Sequence, residues 1–155
     1  MTLEEKSYIY GLLLTDGSLD IKDFKTYSGT VKLEVAYKDK DIIEKLYNIV
    51  PYSSIKERTR KTNFSEEYHS IIFSNSRKSF INELIKMGFP LKDKTLLAEP
   101  PKIDYDIDAF WRGVIDGDGS LGLRKSKNGL TPFLSLTTKS ELLKNAFCNY
   151  LHDIT

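Results

Sequence analysis

Hydrophobic and polar positions change period several times along this chain. Thr2 followed by Leu3-Glu4-Glu5 has the capping-box pattern of a helix start, with Glu5 three residues after the N-cap. The helix runs apolar to about Asp16 and is stopped by Gly17. Residues 18–26 and 30–38 read as a hairpin around Ser28-Gly29. In the second arm Val31, Leu33, Val35 and Tyr37 alternate with Lys32, Glu34, Ala36 and Lys38. A helix at 39–49 carries Ile42, Ile43, Leu46 and Ile49 and ends before Pro51. Residues 53–62 and 67–74 read as a second hairpin, and a helix at 76–87 stops at Gly88.

Residues 89–106 hold Pro90, Pro100 and Pro101 with little periodicity, and read as a linker. A helix at 107–116, strands at 120–127 and 131–138 around Lys127-Asn128-Gly129, and a helix at 139–151 follow. The expected fold is α+β, with helices on one face of antiparallel sheets. It comprises a first αββαββα unit over 1–88 and a second over 107–155. The second lacks its second hairpin and last helix, so a truncated chain with an exposed sheet edge is expected.

The two units share a motif. Tyr8-Ile-Tyr-Gly-Leu-Leu-Leu-Thr-Asp-Gly-Ser-Leu19 aligns with Phe110-Trp-Arg-Gly-Val-Ile-Asp-Gly-Asp-Gly-Ser-Leu121, 102 positions downstream. Glycine inside a helix costs about 0.5–1 kcal/mol against alanine, so Gly11 and Gly113 need a reason. With Thr15 and Gly117 four residues on, each helix carries a strip of small residues along which two backbones can pack closely. Packing there sets Asp16 and Asp118 side by side. Two adjacent carboxylates repel unless one is protonated or a cation lies between them. A hard ion such as Mg²⁺, with Mn²⁺ or Ca²⁺ as substitutes, answers that need and suits phosphodiester hydrolysis. Gly17 and Gly119, directly after the acids, complete the candidate metal site. A calcium-binding EF-hand loop starting at Asp116 is excluded, because its sixth position is Leu121 and its twelfth Lys127. Asp116 has Leu14 as its counterpart, so it is no symmetric ligand.

Lys38 and Lys139 stand 22 and 21 residues after their acids, each ending an alternating strand, and are candidate catalytic cations. Lys56, Arg58 and Arg60 share one face of a strand. Lys32, Arg124 and Lys125 add to it, with Lys61, Lys22 and Lys25 nearby; such a stripe suits DNA phosphates and guanine edges. Tyr27, Tyr52 and Tyr68 are contact residues or plain sheet surface, and His69 and His152 have no zinc spacing.

Composition changes this picture little. A 155-residue chain that is 40% hydrophobic can bury a core. A net charge of +1 neither supports nor excludes a polyanionic partner. The single cysteine, Cys148, excludes an internal disulfide, fits a reducing compartment and reads as a buried thiol. No apolar run is long enough for a signal peptide core or a membrane span.

Ile9 to Gly17 and Trp111 to Gly119 resemble the LAGLIDADG motif of homing endonucleases. The first copy departs from it with Leu14 at the sixth position. The resemblance implies that Asp16 and Asp118 are metal ligands, with a basic residue near each, which fits Lys38 and Lys139. It also implies saddle-shaped, pseudo-twofold sheets seated on double-stranded DNA and metal-dependent cleavage of both strands at a long, asymmetric site. Two motifs in one chain resemble the monomeric members; a truncated second unit opens the way to a swapped dimer. An origin in an intron, intein or phage genome follows, with an intracellular setting: cytoplasm, nucleoid or organelle. The alternative on the same scaffold is a nucleic-acid-binding protein without cleavage, an RNA maturase or a DNA-binding regulator.

Overall fold

A computed structural model of the chain describes residues 1–155, apart from the side chain of Ser65. Helix α1 (Leu3–Thr15) starts at the capping box: Thr2 Oγ1 accepts from the Glu5 backbone N–H at 3.1 Å, and Thr2 N–H donates to Glu5 Oε2 at 2.8 Å. Every residue from Ser7 to Leu14 is buried, so α1 has no solvent face over that stretch. Around it stand β1 (Gly17–Asp23), β2 (Ser28–Ala36), a 3₁₀ turn (Tyr37–Asp39), α2 (Lys40–Ile49), β3 (Ser54–Thr62), β4 (Ser65–Asn75) and α3 (Lys78–Met87). Helix α3 ends in the left-handed Gly88, at φ 99°.

These four strands form one antiparallel sheet in the order β1-β2-β4-β3. Alternation decides its two faces. Val31, Leu33, Ile71 and Phe73 are buried, with Leu19, Ile21, Val35 and Ile55 packed against that core. Ile43 and Leu46 of α2 and Phe80, Ile81 and Leu84 of α3 cover it. The opposite face, with Lys32, Glu34, Lys56, Arg58 and Arg60, carries no helix. The β1–β2 turn spans residues 24–27, with Tyr27 at φ 52°, so Ser28 and Gly29 lie inside β2 rather than in the expected turn.

Residues 89–106 depart from the expected linker. Phe89 and Ala98 are buried, and a short helix α4 (Lys94–Leu97) forms there. Helix α5 (Ile107–Asp118) is capped by the Asp106 carboxylate, which accepts from the Ala109 backbone N–H. It runs two residues further than the spacing predicts and takes in Asp118. Then come β5 (Gly119–Ser126), β6 (Gly129–Leu136) and α6 (Glu141–Ile154).

Strands β5 and β6 form a two-stranded sheet. Leu121 pairs with Leu134, Leu123 with Pro132 and Lys125 with Leu130, placing four leucines on one side. Leu121 is 77% and Leu123 63% exposed, whereas their first-unit counterparts Leu19 and Ile21 are packed against the core. Helix α6 docks instead on α5: Phe147 lies 5.2 Å and Tyr150 5.5 Å, ring to ring, from Trp111. Because Leu143, Phe147 and Tyr150 define its inner face, Cys148 points outward and is exposed, contrary to the buried position expected. No helix among the described residues is long and apolar enough to cross a membrane.

Candidate active site between the helix ends

The site starts from two helix backbones in contact. A Cβ on Gly11 would run into the Phe110 carbonyl oxygen and sit 3.0 Å from the Val114 nitrogen. A Cβ on Gly113 would run into the Tyr8 carbonyl oxygen and sit 2.9 Å from the Leu12 nitrogen. Tyr8 and Phe110 are motif counterparts, as are Leu12 and Val114, so the contact is reciprocal, as a local twofold axis requires. A Cβ on Gly117 would collide with Thr15 Oγ1 and approach Asp16 Cγ to 3.5 Å. Ser7 ties the other end of the seam: its hydroxyl donates to the Leu3 carbonyl and accepts from the Asp106 backbone N–H.

Asp16 caps the C-terminus of α1 and Asp118 is the last residue of α5. Burial raises the Asp16 carboxyl above the ordinary carboxylate range, the charge of Asp118 raises it further, and Lys94 works the other way. The Asp118 carboxyl is also raised, first by burial, with Lys94 opposing. The negative end of each helix dipole disfavours the ionised acids in the same sense.

Lys94 is the residue that sequence reasoning missed. Its ammonium donates to the carbonyls of Leu13 (3.3 Å), Thr15 (2.8 Å) and Gly17 (2.5 Å), closing the C-terminus of α1. Burial pulls its pKa down while Asp118 and Asp16 hold it up. The only available signal was a lysine in a stretch too irregular to place. It also lines a cleft of about 140 Å³ together with Asp118, Thr137, Thr138 and Lys139.

The two lysines read from the sequence occupy different surroundings. Lys139 borders the cleft beside Asp118. Lys38 lies exposed in the 3₁₀ turn after β2. Leu33 is the residue paired with Gly17, and at roughly 3.3 Å per strand residue Ala36 is already roughly 10 Å beyond it. The hairpins explain the mismatch: Gly17 pairs with Leu33 but Gly119 with Leu136, one residue later in its repeat. Ala36, not Lys38, is therefore the positional counterpart of Lys139.

Asp116 accepts a 2.8 Å hydrogen bond from the Tyr8 hydroxyl across the helix pair, away from the acids. Burial and this bond push the Tyr8 phenol pKa up. Among the described residues no group of three or more His, Cys, Asp or Glu side chains could hold a metal ion. What the site offers is two carboxylates and the backbone carbonyl of Gly119; the Gly17 carbonyl, expected to join them, already accepts from Lys94. That donor set fits a hard ion that keeps water or phosphate oxygens in its shell, and not zinc.

On the basic face, Lys56 pairs through Ile72 with Glu34, and Arg58 through Ser70 with Ala36. Arg60 lies over the Tyr68 ring at 5.5 Å. Lys22 and Lys32 share this face by alternation, and Lys61 is exposed on β3. Arg124 and Lys125 divide: Arg124 sits with Phe133, its guanidinium 5.4 Å from the ring, while Lys125 falls on the leucine side. Lys25 and Tyr27 belong to the β1–β2 turn, and Tyr52 stacks under Arg77 at 4.0 Å. His69 stacks on Tyr37 and meets Glu57 at 3.0 Å; His152 lies exposed near the C-terminus.

No family model and no curated protein matches the chain. Among solved structures it is similar to a double mutant of I-SmaMI, at 14% identity and a TM-score of 0.40, covering 83% of this chain and 65% of that one. The LAGLIDADG meganuclease I-AabMI bound to uncleaved DNA gives 13% identity and a TM-score of 0.43, covering 83% and 64%. The meganuclease I-SmaMI bound to uncleavable DNA gives 13% and 0.41, with the same coverage. The chain thus spans just under two thirds of the length of these structures.

Proposed function

We propose that this chain is a site-specific DNA endonuclease of the LAGLIDADG type, or the larger part of one. One observation carries this reading. Two backbones in direct contact at Gly11 and Gly113 bring Asp16 and Asp118 together, and burial raises both acids. Such a pair is costly unless a cation or a proton relieves it. Asp16 and Asp118, with the carbonyl of Gly119, would hold Mg²⁺, the Gly17 carbonyl being taken by Lys94. Bound there, the ion would supply Lewis acidity toward a phosphodiester and lower the pKa of a bound water.

The rest of the chemistry falls to the chain. Lys94 offers positive charge beside the acids where charge builds up on the phosphate. Lys139, on the rim of the same cleft, can hold the phosphate on the Asp118 side. The bare sheet face would lie against duplex DNA, with Lys32, Lys56, Arg58 and Arg60 on phosphates and base edges and Arg124 extending the surface on the second hairpin. The test is Mn²⁺ binding to the full chain, followed by electron paramagnetic resonance, together with Mg²⁺-dependent cleavage of a plasmid library carrying random inserts. Wild type should bind Mn²⁺ and cleave; Asp118→Asn should lose both and keep its fold. Undiminished Mn²⁺ binding in Asp118→Asn would overturn the assignment.

A second reading, a nucleic-acid-binding protein without cleavage, is favoured by Lys94, whose ammonium already holds the Gly17 carbonyl and places a cation beside Asp16 and Asp118. Duplex binding with no cleavage under Mg²⁺ or Mn²⁺ would select it.

A further inference from the structure

Glu34 is out of place on a surface read as a DNA contact. It alternates with Val31, Leu33 and Val35 and so faces away from the helices, on the side of Lys32, Lys56 and Arg58. None of those three cations has a side-chain partner among the described residues. A carboxylate there repels phosphate and lowers sequence-independent affinity.

It is also fixed. The Ser70 hydroxyl, fully buried, donates to Glu34 Oε1 at 2.7 Å. Arg60 Nη2 reaches the same oxygen at 3.5 Å, and the Arg60 guanidinium lies over the Tyr68 ring. Both neighbours engage Oε1, which leaves Oε2 without a partner among the described residues, on a side chain 29% exposed. The result is one acceptor atom, held in place and facing the surface where the duplex would sit.

An ionised carboxylate only accepts hydrogen bonds. In the major groove the donors are the amino groups of cytosine N4 and adenine N6. Adenine places the N7 acceptor beside its amino group, which faces a carboxylate unfavourably, whereas cytosine presents no acceptor there. We propose that Glu34 is a specificity-determining residue that accepts through Oε2 from the N4 amino group of a cytosine, with Ser70 and Arg60 as positioning residues. This rests on the DNA-reading role given to the sheet above.

The test selects bound duplexes from a randomised pool, using the full chain without divalent ions, and then measures affinities by titration. Wild type should enrich cytosine at one position, and replacing that base should weaken binding roughly tenfold or more. Glu34→Gln should turn this position alone toward adenine, since a glutamine amide matches N6 and N7. Ser70→Ala should blunt the cytosine preference and leave the remaining positions unchanged. Identical base preferences in wild type and Glu34→Gln would overturn the assignment, as would a uniform loss at all positions accompanied by a lower melting temperature. If wild type enriches no sequence and its binding ignores salt, the DNA reading of the sheet itself falls, and this inference with it.

Discussion

Gly113→Ala sets two effects of opposite sign against each other. Alanine favours an isolated helix over glycine by about 0.5–1 kcal/mol. In α5 the new methyl would meet the Tyr8 carbonyl oxygen and lie 2.9 Å from the Leu12 nitrogen, where ordinary contacts are about 3.5–4.0 Å. Both obstacles are main chain, so no side chain can rotate out of the way. The helices must separate, and the seam holding Tyr10, Phe110, Trp111 and Val114 loosens. Overpacking of this kind costs about 1–3 kcal/mol. Main-chain obstacles put the cost in the upper part of that range, about 2–3 kcal/mol; subtracting the helix gain leaves a net loss of about 1–2.5 kcal/mol, a melting temperature lower by roughly 2–10 °C for a chain of this size. Thermal unfolding followed by circular dichroism reads it. Gly11→Ala should do the same from the other side. The double variant should lose less than the two single losses added, because helices already apart accommodate the second methyl more cheaply. An unchanged or raised melting temperature in Gly113→Ala would refute close backbone packing.

Other substitutions test the acids and the buried lysine. Asp16→Asn should raise the melting temperature near pH 7 in EDTA. The folded pKa of Asp16 is raised, so its contribution is full below the unfolded value of about 3.9 and lost as pH rises through the folded one. The gain should vanish below about pH 4, and a pH-independent gain would contradict the charge argument. Lys94→Met leaves three carbonyls at the end of α1 without their donor and should cost about 1–3 kcal/mol in urea unfolding, besides abolishing cleavage. A variant as stable as wild type would show that water replaces the ammonium at no cost.

Much of the scaffold was legible because its signals are local. The capping box at Thr2, the alternation from Val31 to Tyr37 and the two glycine-bearing motifs each announce themselves within a dozen residues. The placement of Lys94 was not legible: it sits between prolines, and its role comes from reaching carbonyls some 80 positions earlier in the chain. Nor was it legible that Lys38 and Lys139 are not equivalent, since counting along the chain misses the extra residue in the second hairpin. Cys148 shows the same limit on a helix, where one step of about 100° separates the buried Phe147 from an exposed neighbour. That Glu34 shares a face with Lys56 and Arg58 depends on the order β2-β4-β3, which pairs β2 with a strand more than thirty residues later.

Helix α1 is buried all round from Ser7 to Leu14, and its principal partner is α5. That partner is synthesised about a hundred residues later. At about 5–20 residues per second, α1 waits on the order of 5–20 s on the ribosome before its other half emerges. During that interval an apolar helix with no polar side is available to chaperones and to the α1 of neighbouring nascent chains. The glycine strip that makes the seam so close also ties together two segments that leave the ribosome about a hundred residues apart.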